Sequence, residues 1–424
     1  MSRRLTICGS LSWPTTFCSS MSIAGFLLIG VASAEGVTSE VEIISRYLSS
    51  PVMETQQTAL QAGARAAGVL PPLLPNPELE VRREEARGPA GATTEALGGA
   101  LTVDLGFSAL PARSAARLRG EASMHQRHAQ TLAGVCTVRE DVLSLWAAWE
   151  QVAVTGATVA RLEGVLSLLT ALADAGDGSG YARDRAALAL ASHRLAAAMA
   201  QGERATQAAR LSALTGQAVT AAHLAPLPPL PPLSESLERS TSHPWLLAIQ
   251  LEEDAAGQAT TAARRSVVPD LRISGGARWD APPGGGQATQ GYEIGAAVSL
   301  PVFDVARTER RVAAADEATA ISARAEADAM LQATVEGAWG RASALESSPA
   351  PLDADRIWES ARARYLGGES PIDELLQVAG ELSDAQLSGV ESTHLHRRAR
   401  LDLSCAVGRF DEPAIQAALE ESLR

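Results

Sequence analysis

Lysine is missing altogether. All 36 basic residues are arginine, a bias that fits a GC-rich genome better than it fits a function. Aromatic residues make up only 4% of the 424 positions, and there are four cysteines. Positive charge is outnumbered, 36 arginines standing against 49 acidic residues for a formal charge of −13. That balance argues against nucleic acid as a partner, because phosphate binding needs a basic surface. Beyond residue 34 no uninterrupted apolar run reaches the ~18 residues expected of a membrane-crossing helix. No nucleotide-cradling glycine loop of the G-x-x-x-x-G-K-[ST] kind is present, and no Ser-His-Asp spacing stands out. An enzyme is therefore not expected, and neither is a cofactor.

What is there begins with a processing segment. Arg3 and Arg4 precede the apolar stretch MSIAGFLLIGV (21–31), and Ala32-Ser33-Ala34 forms an A-x-A cleavage pattern. Residues 1–34 are read as a signal peptide. Its removal takes away Cys8 and Cys18 and leaves 34 arginines against the 49 acids. Neither cysteine sits in a lipoprotein box. Cys136 and Cys405 remain, and two cysteines so far apart are expected to be buried free thiols.

The mature chain reads as two copies of one plan. After a lead-in segment (35–76), a strand pair is expected at 77–110, from strands near 77–86 and 99–110. A long helical hairpin follows over 111–216. A proline-rich linker and the first helix of the second copy occupy 217–267. A second strand pair is expected at 268–303, from strands near 268–280 and 291–303, with a second hairpin at 304–409 and a tail at 410–424. The strands alternate. In LTVDLGFSA, Leu101, Val103, Leu105 and Phe107 share one face. In GYEIGAAVSL, Tyr292, Ile294, Ala296, Val298 and Leu300 do the same. About 9–11 alternating residues suit a tilted strand with one face in lipid and one in water. Four half-buried strands of a soluble sheet would show the same period, but no further strands exist to complete such a sheet.

The helical stretches are long for a globular domain. The stretch from 305 to about 346 spans roughly 60 Å at 1.5 Å per residue, and a matching run covers about 112–173. Return helices are expected over about 180–215 and 371–408. Apolar residues there recur at threes and fours, as in Ile372, Leu375, Leu376, Ala379 and Leu382. Between the copies, six of the twenty residues 225–244 are proline, so an extended strap is expected.

In this order and duplication, the segments LPNPELEV (74–81), VPDLRISGGARWD (268–280), GYEIGAAVSLPVFDVARTERRVAAA (291–315), AGDGSGYARDRAALALASHRLAAA (175–198) and residues 364–408 resemble TolC-like outer-membrane efflux proteins. NPELEV looks most like the heavy-metal efflux branch. The resemblance implies an α+β chain of two structural repeats, assembled as a homotrimer. Four strands per chain would close one outer-membrane β-barrel, continued by a long periplasmic α-helical barrel. It implies an exit duct of a tripartite efflux system in the bacterial outer membrane, extending into the periplasm. The expected partners are outer-membrane lipid, a periplasmic adaptor (membrane fusion) protein and an inner-membrane pump.

The resemblance also marks residues. Asp373, followed by Glu374, falls where the family places a constriction acid, and Leu376 where it places a second. The turns holding Gly176, Asp177 and Gly178, and Gly367, Gly368 and Glu369, fall at the adaptor-docking tips. Alternation puts Trp279 and Tyr292 on the apolar face beside the 281–290 loop, as membrane-interface aromatics, with Phe303 at the opposite level. His125, His128, His394 and His396 offer imidazoles but no companion acid or cysteine, so no metal site is expected. Two other classes stay open: a secreted coiled-coil structural or adhesion protein, and the outer-membrane duct of a type I protein secretion system.

Overall fold

The computed structural model describes residues 38–73, 76–85, 93–176, 179–282, 287, 289–299, 307–346 and 353–422. Residues 1–34, read above as a signal peptide, and Asp177, Gly178 and Phe303 lie outside them. The lead-in segment holds β1 (Thr38–Ser39), α1 (Glu40–Leu48) and α2 (Pro51–Ala67). The first repeat continues with β2 (Glu78–Glu85), β3 (Thr93–Asp104), α3 (Ala109–Asp174) and α4 (Gly180–Thr215). After β4 (Ala222–His223) and α5 (Leu233–Ser240), the second repeat runs through α6 (Pro244–Arg265), β5 (Asp270–Ala281), β6 (Thr289–Val298), α7 (Arg307–Leu345), α8 (Ala354–Leu366) and α9 (Ile372–Val407). The tail forms α10 (Pro413–Ser422).

Local chemistry explains the boundaries. Ser39 and Ser50 cap α1 and α2 by accepting the amides of Glu42 and Met53. The return helix of each repeat ends on a glycine in the left-handed region, Gly216 (φ 69°) and Gly408 (φ 79°). The first strand pair sits earlier than the alternation implies, because β3 spans 93–104 rather than 99–110. Asp104 stops it. Its carboxylate accepts the amides of Gly106 (2.8 Å) and Ser108 (2.6 Å) and the Ser108 hydroxyl (2.6 Å). Phe107 therefore lies in the turn, at φ 50°, and not on a strand face.

The strands form one antiparallel sheet in the order β2-β3-β5-β6. The repeats meet through twelve paired positions between β3 and β5, from Thr93↔Ala281 to Asp104↔Asp270. A two-stranded parallel pair, β1 with β4, ties the lead-in segment to the linker.

The largest buried cluster joins both repeats. It contains Ile43, Ile44 and Tyr47 of α1, Val135, Val138, Val142 and Leu145 of α3, Leu211 of α4, Leu401 of α9, and Phe410, Ile415 and Leu419 of the tail. Within it Arg139 is only 7% exposed, its Nε donating to Glu40 (2.7 Å) and its Nη2 to Glu412 (2.7 Å). Its guanidinium lies 5.0 Å from the Phe410 ring centroid. Burial would pull the Arg139 pKa down; Glu40 and Glu412 outweigh it and hold the group above the ordinary arginine value.

Cys136 of α3 and Cys405 of α9 are joined by a disulfide, with Cα atoms 6.2 Å apart. The expectation of two free thiols is thereby corrected. Antiparallel packing of α3 on α9 brings together residues separated by 269 positions, a proximity no local spacing encodes.

The proline-rich strap is shorter than expected, since 233–240 is helix. Proline supplies no amide, so its neighbours' carbonyls need outside donors. Arg397 donates to the Ala225 carbonyl, Arg400 to Pro228 and the Trp339 indole to Pro231, at 2.8, 2.8 and 2.9 Å. The strap is thus pinned onto α7 and α9.

Candidate functional site: an uncovered sheet and a helical tip

The two faces of the sheet differ in chemistry. On one, register aligns Leu79, Gly99, Gly275 and Ile294 across the four strands, and Val81, Leu97, Ala277 and Tyr292 on the next rung. Leu79 (79% exposed), Val81 (75%), Ile294 (79%) and Tyr292 (85%) are uncovered, and Leu97, Ile273 and Val298 are exposed beside them. No helix among the described residues packs there. Trp279 pairs in register with Gln290, one rung from Tyr292. Both residues therefore lie on the same face near the β5–β6 loop.

The opposite face is charged. Glu78, Glu80 and Arg82 of β2, Arg272 and Arg278 of β5 and Glu293 of β6 project there, on the alternate positions of each strand. Both outer strands, β2 and β6, keep one edge without a strand partner among the described residues.

At the far end of the long helices, two turns reverse the chain. Gly176 adopts φ 85° after α3. In the second turn Gly368, at φ 75°, takes the left-handed position, while Gly367 remains at φ −74° as the cap of α8. Glycine is favoured at Gly176 and Gly368 because a Cβ would be strained there. Both turns sit above one shared cluster. Leu162, Val165 and Leu169 of α3, Ala186 and Leu190 of α4, Trp358 of α8 and Leu375, Ala379 and Leu382 of α9 form it.

Asp373 opens α9 and is half exposed. Arg185 of α4 donates to it from Nε (3.1 Å), and its Nη2 lies 3.0 Å away as an ion pair. Glu374 is held instead by Arg364 of α8 at 3.0 Å, and Arg364 also lies 4.0 Å from Glu369. Asp373 and Glu374 therefore face different neighbours, as adjacent helical residues must. Leu376 packs partly buried against the shared cluster, and with Arg185, Leu188 and Gln377 it lines the groove between α4 and α9. Sequence reading missed Arg185. The signal was in the repeat: Ala182 corresponds to Asp373, so Arg185 stands where the second repeat has Leu376.

The histidines serve packing. The rings of His125 and His128 lie edge to face at 5.8 Å. Nε2 of His128, His394 and His396 is buried without a hydrogen-bond partner. Burial, aided by Arg127, Arg398 and Arg400 respectively, lowers all three pKa values below the ordinary 6.5. No group of three or more His, Cys, Asp or Glu suited to a metal occurs among the described residues.

One helix, α3, does contain an 18-residue stretch apolar enough to cross a membrane by length and composition, with mean hydropathy 1.5. The rule applied to the sequence, which looked for unbroken apolar runs, missed it. The helix packs against α4, α6 and α9, and 28% of that stretch is buried within the chain.

No family model matches the sequence, and no curated protein matches it. The solved structures show the fold. The chain is similar to the outer-membrane protein VceC of Vibrio cholerae, with TM-score 0.71 and 18% identity over 88% of this chain and 97% of that one. It is similar to the CmeC outer-membrane channel of Campylobacter jejuni, with TM-score 0.69 and 16% identity over 90% and 89%. It is similar to the transmembrane channel CusC, with TM-score 0.69 and 16% identity over 88% and 92%. The chain shares the fold of these outer-membrane channel proteins. The three likenesses are equal in extent and single out no branch.

Proposed function

We propose that the chain is one subunit of a homotrimeric exit duct, an outer-membrane channel that works with a periplasmic adaptor and an inner-membrane pump. The observation that carries this reading is the sheet: one face is apolar and bare, the other charged, and among the described residues both outer strands keep an unpaired edge. In lipid an open edge leaves amides and carbonyls without partners. Pairing β2 of one copy with β6 of the next removes every edge, and three copies give a twelve-stranded barrel. A second exposed seam supports the same assembly. On α4, Tyr181, Leu188 and Leu195 recur every seven residues with Met199 beside them, each about two-thirds exposed. That is the pattern of a helix awaiting a partner helix.

In this reading the bare face meets outer-membrane lipid, with Trp279 and Tyr292 at the headgroup level near the 281–290 loop. The long helices carry the conduit across the periplasm. Gly176, Gly367, Gly368 and Glu369 belong to the turns that the adaptor engages, and Asp373 lies at the tip constriction. Solutes pass by diffusion, and the chain needs no catalytic group. Protein extracted from outer-membrane fractions in detergent should have the mass of a trimer. Release by osmotic shock as a soluble species would favour a secreted coiled-coil protein instead, and a stable membrane-inserted monomer would sink the barrel.

A further inference from the structure

The charged face of the sheet is bridged by ion pairs that span several strands. Glu80, Gly98, Gly276 and Glu293 stand on one rung across β2, β3, β5 and β6. Arg272 of β5 reaches over β3 to Glu78 (2.9 Å) and Glu80 (3.3 Å) of β2. Arg82, which also contacts Glu80 at 3.0 Å, comes within 3.9 Å of Glu293 on β6, three strands away. Three strand spacings are about 14 Å, and the long side chains of Arg82 and Glu293 lean toward each other across them over a groove lined by Ala96, Gly98, Ser274 and Gly276, so this face is hollowed.

Its floor permits that. Ala96, Gly98, Ala100, Ser274 and Gly276 are all small. A Cβ at Gly276 would lie 2.6 Å from the Leu97 carbonyl oxygen and 2.7 Å from the Gly98 Cα, and one at Gly98 would lie 2.9 Å from the Gly275 carbonyl oxygen. Glycine is needed here for close approach of the two backbones, and its absent side chains leave a groove. The long charged side chains close over that groove and stay 40–59% exposed.

We propose that Glu78, Glu80, Arg82, Arg272 and Glu293 form a charged belt that selects ions inside the barrel, independently of Asp373 at the tip, and that its preference is for cations. The belt rests on the duct reading, which turns the hollowed face toward the lumen. Three carboxylates face two guanidiniums, an excess of one negative charge per chain; Arg278 on the same face is neutralised by Asp280 at 2.9 Å. A hollowed wall backed by lipid focuses that field onto passing ions.

The test uses the full-length assembly in planar bilayers under a KCl gradient. Wild type should prefer K⁺ over Cl⁻, and the preference should fade between about 0.1 M and 1 M salt as the screening length falls from about 10 to 3 Å. The double variant Glu80→Gln/Glu293→Gln should lower the permeability ratio by about twofold or more. It should do so equally in an Asp373→Ala background, which separates the belt from the tip. Arg82→Gln should raise the ratio. Channels of the double variant with wild-type reversal potentials would overturn the belt. If that variant does not assemble, an unchanged reversal potential for Arg82→Gln overturns it instead. Failure of wild type to form any channel is a different result: it removes the duct reading, and the belt with it.

Discussion

Midway along α3, Arg139 is 7% exposed between Glu40 and Glu412, and one helical turn away Cys136 is bonded to Cys405. Roughly 50 Å further along the same helix, the chain reverses and a different chemistry holds it. There Asp373 and Arg185 meet at 52% and 44% side-chain exposure, and Arg364 meets Glu374 at 53% and 43%. The joint between the repeats is held by a covalent bond, a buried ion cluster and the pinned proline strap. The tip is held by a small apolar cluster and by ion pairs that water can enter. A buried pair is costly to break because its survivor is stranded, whereas exposed pairs contribute little.

The comparison is most open to attack at Arg139. Arg139→Ala leaves Glu40 and Glu412 buried without their cation and should cost about 3–5 kcal/mol, seen as a large fall in the denaturation midpoint of the detergent-solubilised protein. A loss no greater than that of an exposed pair would show that the joint is not the anchored region. Next in size, Cys136→Ser/Cys405→Ser, or reduction of wild type, should cost roughly 2–4 kcal/mol. Variants at the tip should not change with reductant.

The third effect concerns pH and is confined to the body of the molecule. His128, His394 and His396 titrate below their ordinary value because burial disfavours the imidazolium, and His243 does so for the same reason against the opposing Cys405 carbonyl. As pH falls below about 6.5 the unfolded chain takes up protons that the folded chain refuses, so stability is lost going down in pH. The Tm should fall between pH 7.5 and 5.5. His394→Gln should flatten that slope, although Glu140 and Glu391 nearby partly offset Arg398. A Tm that rises on acidification would contradict the assignment.

The smallest effect on stability is expected at the tip. Asp373→Ala or Arg185→Ala should change it by only about 0–1 kcal/mol. The functional effect goes the other way. In bilayers Asp373→Ala should reduce cation preference and weaken block by multivalent cations, Arg185→Ala should strengthen both, and Glu374→Ala should matter less. Conductance and blocker affinity unchanged in all three would reduce Asp373 to a solvated first-turn carboxylate.

Much of this architecture was legible along the chain. Period-two alternation marked the strands, and apolar residues at threes and fours marked α4 and α9 almost to the residue. Duplication of the whole pattern showed the repeats, because periodicity is a local property that one side of an element imposes on its own sequence. Local pattern failed where a side chain ended an element against the trend. Asp104 folded back on its own following amides and stopped β3 six residues early, turning Phe107 out of the strand. In the strap, alternating leucine and proline gave no hint that Arg397, Arg400 and Trp339 would supply its missing donors. What only the tertiary structure decided are the pairings over long separations: Cys136 with Cys405 across 269 residues, Arg139 with Glu412 across 273, Asp373 with Arg185 across 188. Those depend on how antiparallel helices settle against each other and on which rung of β3 meets β5. A one-residue slip would change both without altering any local pattern.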